Sequence, residues 1–302
     1  ALARLALESK VKAQALRRAR LGGRAAALRR RAATSAAASS SSSPAARAVI
    51  ILPGLGNCSK DYDELASELE KQRKEQGLRV FTVDVARIDW ARNAAGLLDA
   101  NWWRGTLKPR PVVDWYLDKL KQAIEEAKGE TGGGPITFLA HSAGGWLGRC
   151  YLAEVESPSD AGVDRFVSLG SPHSPPPADA EGTVDQTRGI LTHVNETCPG
   201  AFHGDVAYVT IVGRCIEGSS IAEEGRSVGE KITGQGYKQV CGSSQVWGDG
   251  IVPEQSAHLE GALQISLEGI YHSPLGKGKD MRWYGDAEVV AQWMDHIYST
   301  NE

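Results

Sequence analysis

A single serine interrupts an apolar run in the stretch Ile136-Thr137-Phe138-Leu139-Ala140-His141-Ser142-Ala143-Gly144-Gly145. Strand-forming residues lead up to Ser142, and a glycine-rich helix start follows it. A strand that turns sharply into a helix at a serine lifts the hydroxyl clear of the backbone, as in a nucleophile elbow. The usual G-x-S-x-G spacing is kept, with Ala140 in place of the first glycine. Alanine is still small enough for a tight turn. A neutral hydroxyl needs a base to take its proton. Two later segments offer the base and a partner for it. Gly248-Asp249-Gly250-Ile251-Val252-Pro253 sets a carboxylate in a turn, and Gly269-Ile270-Tyr271-His272-Ser273-Pro274 sets an imidazole in a loop. In this set His272 takes the Ser142 proton and returns it to a leaving group, while Asp249 orients the imidazole and balances its charge.

The oxyanion of such a reaction needs donors. The Ala143 amide opens the helix after the serine, where the helix dipole also helps. The second candidate is the Leu55 amide, in the loop Pro53-Gly54-Leu55-Gly56-Asn57 that follows the apolar run Ala48–Leu52. Alternatives stand beside each choice. Asp84 and Glu254 compete with Asp249, and His173 and His258 compete with His272. His141, next to the serine, reads as a packing or hydrogen-bonding residue. For a substrate pocket the candidates are Gly54, His141, His173, Trp102, Trp103 and Trp247, the tryptophans serving equally well as core. No Cys/His cluster has zinc spacing, and neither a metal nor an organic cofactor is expected.

The elements that must hold these residues alternate. Strands are expected at 48–52, 78–85, 136–141, 163–169, 207–212 and 263–267. Helices are expected over 61–75, from Pro111 onward, after Ser142, and over 286–298. Alternation of this kind makes an α/β fold, a mainly parallel sheet with helices on both faces. Ligands of such sheets sit at the carboxyl ends of the strands. Insertions at about 87–110 and 172–205 stand where they can cover that end.

The motifs PGLGN, AHSAGG, LGSPH, GDGIVP with SAHLEGA, and YHSPLG, in the chain order Ser, Asp, His, resemble the α/β-hydrolase superfamily from about Arg47 to the C-terminus. The likeness is greatest to small lipases and to plastid lipase-like hydrolases of plants and algae. It implies cleavage of carboxylic esters, lipid-like and apolar, through an acyl-enzyme. Peripheral contact with a membrane is left open for such a substrate, though the acidic domain argues against docking on anionic membranes through charge alone. Chlorophyll or pheophytin phytyl esters are an alternative substrate. Plant chlorophyllases, however, resemble G-H-S-R-G-G at the elbow, and this chain has Ala140 and Ala143 where they have the first Gly and the Arg. An acyltransferase and a non-catalytic binding protein of the same fold are further alternatives.

Charge divides the 302 residues in two. Residues 1–47 hold eleven basic residues and one acid, a net +10, which leaves 23 basic and 36 acidic residues, a net −13, in the remainder. The arm 1–46 is rich in Ala, Arg and Ser and ends in a serine run, the composition of an organelle transit peptide. Its Ser/Thr content favours a chloroplast over a mitochondrial destination. The arm has no aromatic residue to stack on bases, and the acidic remainder repels phosphates, so nucleic acid is not an expected partner. No run of 18 uncharged apolar residues occurs, so no spanning helix is expected. The five cysteines, at 58, 150, 198, 215 and 241, do not make a secreted disulfide framework, although Cys198–Cys241 or Cys215–Cys241 pairing is open. Asn57 and Asn195 sit in N-x-S/T sequons. A glycan on Asn57 would block the oxyanion loop, in keeping with a compartment that lacks N-glycosylation.

Overall fold

The computed structural model describes residues 46–155, 157–273 and 281–298. All but the last residue of the basic arm, and the segment 274–280 after the histidine loop, lie outside the described residues. Strands β1 (Ala48–Leu52), β2 (Arg79–Thr82), β3 (Ile136–His141), β4 (Val163–Leu169), β5 (Ala207–Arg214) and β8 (Leu263–Glu268) form one sheet in the order β2-β1-β3-β4-β5-β8, and every pairing in it is parallel. Two short pairs stand apart: β6 (Ile216–Glu217) with β7 (Trp247–Gly248), and β9 (Ile270–Tyr271) with β10 (Arg282–Trp283). The helices are α1 (Asp63–Gln72), α2 (Ala100–Arg104), α3 (Asp114–Thr131), α4 (Ala143–Glu154), α5 (Ile190–Thr197), α6 (Val228–Cys241), α7 (Glu254–Ala257) and α8 (Ala287–Trp293).

β1 shows why the strands read as unbroken apolar runs. Successive side chains point to opposite faces of a sheet, and both faces here are covered. Ala48, Ile50 and Leu52 pack with Tyr116, Leu120 and Ile124 of α3 and Leu147 of α4. Val49 and Ile51 pack on the other side with Leu65 and Leu69 of α1 and Val290 and Trp293 of α8. The chain leaves β1 for β2 on one side and returns to β3 on the other. That makes the carboxyl ends of β1 and β3 a switch point, where a crevice opens. The expected oxyanion loop follows β1, and the expected nucleophile follows β3.

Several expected boundaries shift. The 61–75 helix begins as a 3-10 turn, Ser59–Tyr62, in which Asp61 accepts from the Cys58 amide, and α1 proper starts at Asp63. The helix expected from Pro111 starts at Asp114. The 87–110 insertion holds a long 3-10 stretch, Arg87–Leu98, and then α2. Helix α6 is an addition to the expected elements. Its three internal glycines lower helix propensity. It is set instead by a capping box, in which Ser227 and Glu230 exchange bonds with each other's amides, and by burial of Tyr237. The open cysteine pairings are not formed, and all five thiols are free. Cys215 and Cys241 each donate to a nearby carbonyl instead. No described helix is long and apolar enough to cross a membrane.

Candidate active site

Ser142 has φ 54 and ψ −126, a conformation that non-glycine residues rarely hold. The turn is held by the Ser142 amide, which donates to Leu169 O at 3.0 Å, and by the close seating of α4 on β1. A side chain at position 144 would put its Cβ 2.2 Å from Leu52 O, so only glycine lets the helix approach this closely. Ala140, in place of the usual glycine, lies mid-sheet opposite Leu52 and Ser168, where its methyl is fully buried.

The fold brings the three expected chemical groups together. His272 Nε2 stands 3.0 Å from Ser142 Oγ, and His272 Nδ1 stands 2.7 Å from Asp249 Oδ2. Asp249 follows β7 in a turn through Gly250. Its Oδ1 accepts from the amides of Ile251 and Val252 at 3.1 and 2.7 Å. Its Oδ2 also accepts from the Tyr284 hydroxyl at 2.7 Å, and that hydroxyl in turn accepts from the Gly213 amide at 2.8 Å. Burial by itself would raise the Asp249 pKa. The neighbouring His272, the Val252 amide and the Tyr284 hydroxyl outweigh it, and the carboxyl lies below its ordinary value. The His272 amide donates to Asp249 O at 2.9 Å, which fixes the backbone of one partner on the other.

The rival groups are placed elsewhere. Asp84 is exposed beyond β2, and Glu254 pairs with Arg214. His258 lies between Thr210 and Ser266. The PGLGN loop packs directly on the serine: a Cβ on Gly54 would stand 2.6 Å from Ser142 Cβ. Among the described residues, neither the Leu55 nor the Ala143 amide has an acceptor. Two N–H groups without a protein acceptor beside the Ser142 hydroxyl can serve a developing oxyanion.

A cavity of about 230 Å³ opens beside Ser142, walled by Leu55, Trp146, Pro175, Leu191, Val240 and Val252. The wall therefore comes from the PGLGN loop, α4, the 172–205 insertion, α6 and the turn after Asp249, and not from the expected aromatic side chains. His173 is fully buried, with Nε2 against Ser168 Oγ at 2.9 Å. Its carbonyl accepts from Arg149 Nη1 and Asn195 Nδ2, and Arg149 Nη2 bonds Asn195 Oδ1 and Cys198 O. This buried guanidinium clamps both ends of the insertion to α4. Trp102 packs against the core beneath Arg188, Trp103 is 72% exposed, and Trp247 lies under Arg214. His141 and Gly54 sit behind Ser142, not in the cavity. Both sequon side chains, Asn57 and Asn195, are turned inward into hydrogen bonds.

Three contributors were not singled out in the sequence: Tyr62, Tyr284 and Trp146. A tyrosine with apolar neighbours reads as core, and only the bonds of its hydroxyl to distant backbone reveal more. For α6 the Ser227/Glu230 capping box was a usable signal.

Burial lowers the pKa of His141 to about 3, helped by the nearby His272. Burial, then Arg149 and His258, holds His173 well below its ordinary value. Both are neutral in the fold and titrate near ~6.5 once unfolded. Between those values the unfolded chain binds more protons. Stability is therefore full above the unfolded pKa and falls as pH drops toward the folded one. The melting temperature is expected to be level above about pH 7 and to fall steadily from about pH 6.5 to about pH 4. A melting temperature that stays level across that acid window would mean the two imidazoles charge freely inside the fold.

A doubly covered parallel sheet with a serine at the β3–α4 turn and an aspartate–histidine pair after later strands defines an architectural class. The family model for the alpha/beta hydrolase fold matches residues 47–202, and the chain belongs to that family. Among solved structures, the Bacillus licheniformis lipase BlEst2 in mature form is 16% identical, with a TM-score of 0.50 over 84% of this chain and 93% of that one. Phospholipase PlaB from Legionella pneumophila is 12% identical, with a TM-score of 0.54 over 85% of this chain, which spans 61% of PlaB. At these identities the likeness is one of fold. No curated protein matches the chain.

Proposed function

We propose that the protein hydrolyses carboxylic esters of slim apolar acids through a serine acyl-enzyme. The observation that carries this reading is the unbroken line from Ser142 Oγ through His272 to Asp249, beside two amides without acceptors. Ser142 Oγ attacks the ester carbonyl as its proton passes to His272 Nε2, and Asp249 stabilises the imidazolium. The Leu55 and Ala143 amides take the negative charge of the carbonyl oxygen. The C–O bond to the alcohol then breaks as His272 returns the proton to the leaving oxygen. Water, deprotonated by the same imidazole, repeats the sequence on the acyl-enzyme and releases the acid.

The acid side of the substrate is read from the cavity. At about 230 Å³, with mainly apolar walls, it falls below the ~300–1,000 Å³ of pockets that hold drug-sized ligands. An unbranched short or medium acyl chain suits it. The lipase and phospholipase of similar fold lend general support to an apolar ester. No feature of the cavity favours the phytyl-ester alternative, and the intact line of three groups speaks against a purely binding role.

The test treats the purified protein with a fluorophosphonate and then assays p-nitrophenyl esters from acetyl to palmitoyl. Labelling at Ser142 is expected, with kcat/KM greatest between butanoyl and octanoyl. Absence of both labelling and turnover would turn the reading toward a binding protein. A palmitoyl optimum would remove the size argument and leave the serine chemistry standing.

A further inference from the structure

Behind Ser142 runs a second hydrogen-bonded line that the reaction sequence itself does not use. The Tyr62 hydroxyl accepts from the Gly54 amide at 3.0 Å and from Asn57 Nδ2 at 2.8 Å. A hydroxyl has one proton and two lone pairs. With both lone pairs engaged, its proton goes to the one remaining neighbour, His141 Nδ1, at 2.8 Å. Nδ1 is then an acceptor, so the imidazole proton is on Nε2, where it is donated to the His272 carbonyl at 2.8 Å. Counting donors thus sets the direction of every bond from the Gly54 amide to His272.

The line is buried and packed. Tyr62 and His141 are each 1% exposed. The His141 ring lies 4.8 Å from that of His272, and the Trp283 ring stands edge-on at 6.0 Å. Shielded by burial, such a chain holds its members more firmly than the same bonds would at the surface. A neutral, fully buried His141 has no route to substrate, so it is not a second base.

Each end of the line meets part of the proposed machinery. Gly54 precedes Leu55, the expected oxyanion donor. His141 precedes Ser142. The carbonyl at the far end is that of His272 itself. We infer that Tyr62 and His141 are positioning residues that tie the oxyanion loop to the backbone of the base, holding donor and base in register around Ser142. This inference rests on the proposed serine route.

The test compares the wild type with Tyr62→Phe, His141→Gln, His141→Leu and the double variant Tyr62→Phe/His141→Leu. Readouts are kcat and KM on a soluble ester, the rate of fluorophosphonate labelling, and the melting temperature. A displacement of about 1 Å at the reacting groups is worth on the order of 10²-fold in rate. Tyr62→Phe and His141→Leu are each expected to lower kcat and labelling rate by about that factor with KM little changed. His141→Gln, which can still accept and donate, should recover part of the loss. The double variant should be no slower than the singles, because one line is broken only once.

A folded Tyr62→Phe protein that has lost melting temperature but labels as fast as the wild type would reduce the line to packing and overturn the inference alone. Losses that multiply in the double variant would overturn it too. If Tyr62→Phe does not fold, the His141→Gln and His141→Leu pair decides by the same readouts. A wild type that does not label at Ser142 overturns the serine route, and this inference with it.

Discussion

Ser142→Ala is expected to lower ester turnover by on the order of 10⁶-fold, the loss seen when an acyl-enzyme nucleophile is removed. The size follows from the route, because among the described residues no other hydroxyl stands on His272 Nε2. The small residual rate would come from the cavity and the Leu55 and Ala143 amides, which still bind and polarise a carbonyl. The fold should be little affected. Alanine keeps the Cβ and with it the strained φ of 54, and among the described residues no bond from the Ser142 hydroxyl other than the one to His272 secures the turn. The measurement is kcat of wild type and variant at saturating ester, with circular dichroism to establish that both are folded. A rate within tenfold of wild type would place the chemistry on another residue.

The second large effect is expected from Asp249→Asn, a loss of about 10⁴-fold in kcat. Asp249 Oδ2 accepts from two donors, His272 Nδ1–H and the Tyr284 hydroxyl, while Oδ1 accepts from two backbone amides. An asparagine has one acceptor oxygen. If that oxygen keeps the two amides, its NH2 faces His272 Nδ1 and forces the imidazole proton onto Nε2. Nε2 then points a hydrogen at Ser142 and cannot act as a base. If the oxygen turns to His272 instead, the Ile251 and Val252 amides lose their acceptor, and leaving the buried Val252 amide unsatisfied costs about 1–3 kcal/mol. The first outcome shows as lost kcat in a stable protein, the second as lost stability. A variant that keeps both kcat and melting temperature would exclude Asp249 as the partner of His272.

How far the site was legible depends on the range over which each signal acts. The elbow was readable because its signals are local. An apolar strand, a serine and glycines in immediate succession have few other uses, and the tight seat of Gly144 on Leu52 O explains why glycine stands there. The aspartate was readable from its D-G turn and its place before the last strand. The aromatic pocket was not. Trp102, Trp103 and Trp247 have the right chemistry, but their direction is set by tertiary packing: Trp102 lies against the core beneath Arg188, Trp103 is exposed, and Trp247 lies under Arg214. His173 follows a strand as a site residue would, yet its ring is turned to Ser168 and only its carbonyl serves the insertion. Helix α6, one wall of the cavity, was hidden by glycines that lower its intrinsic propensity.

The amino-acid sequence by itself determined the alternation of strand and helix, the parallel sheet that follows from it, and the identity and order of Ser142, Asp249 and His272. Each is written in neighbouring residues, where periodicity and turn chemistry act. Tertiary structure decided what surrounds them. Tyr62 meets His141 across 79 positions and Tyr284 meets Asp249 across 35, so their roles exist only once the sheet register and helix packing have brought them together. The cavity was decided in the same way. Its walls come from five segments with no periodicity in common, and the insertion among them is held to α4 by the bonds of Arg149.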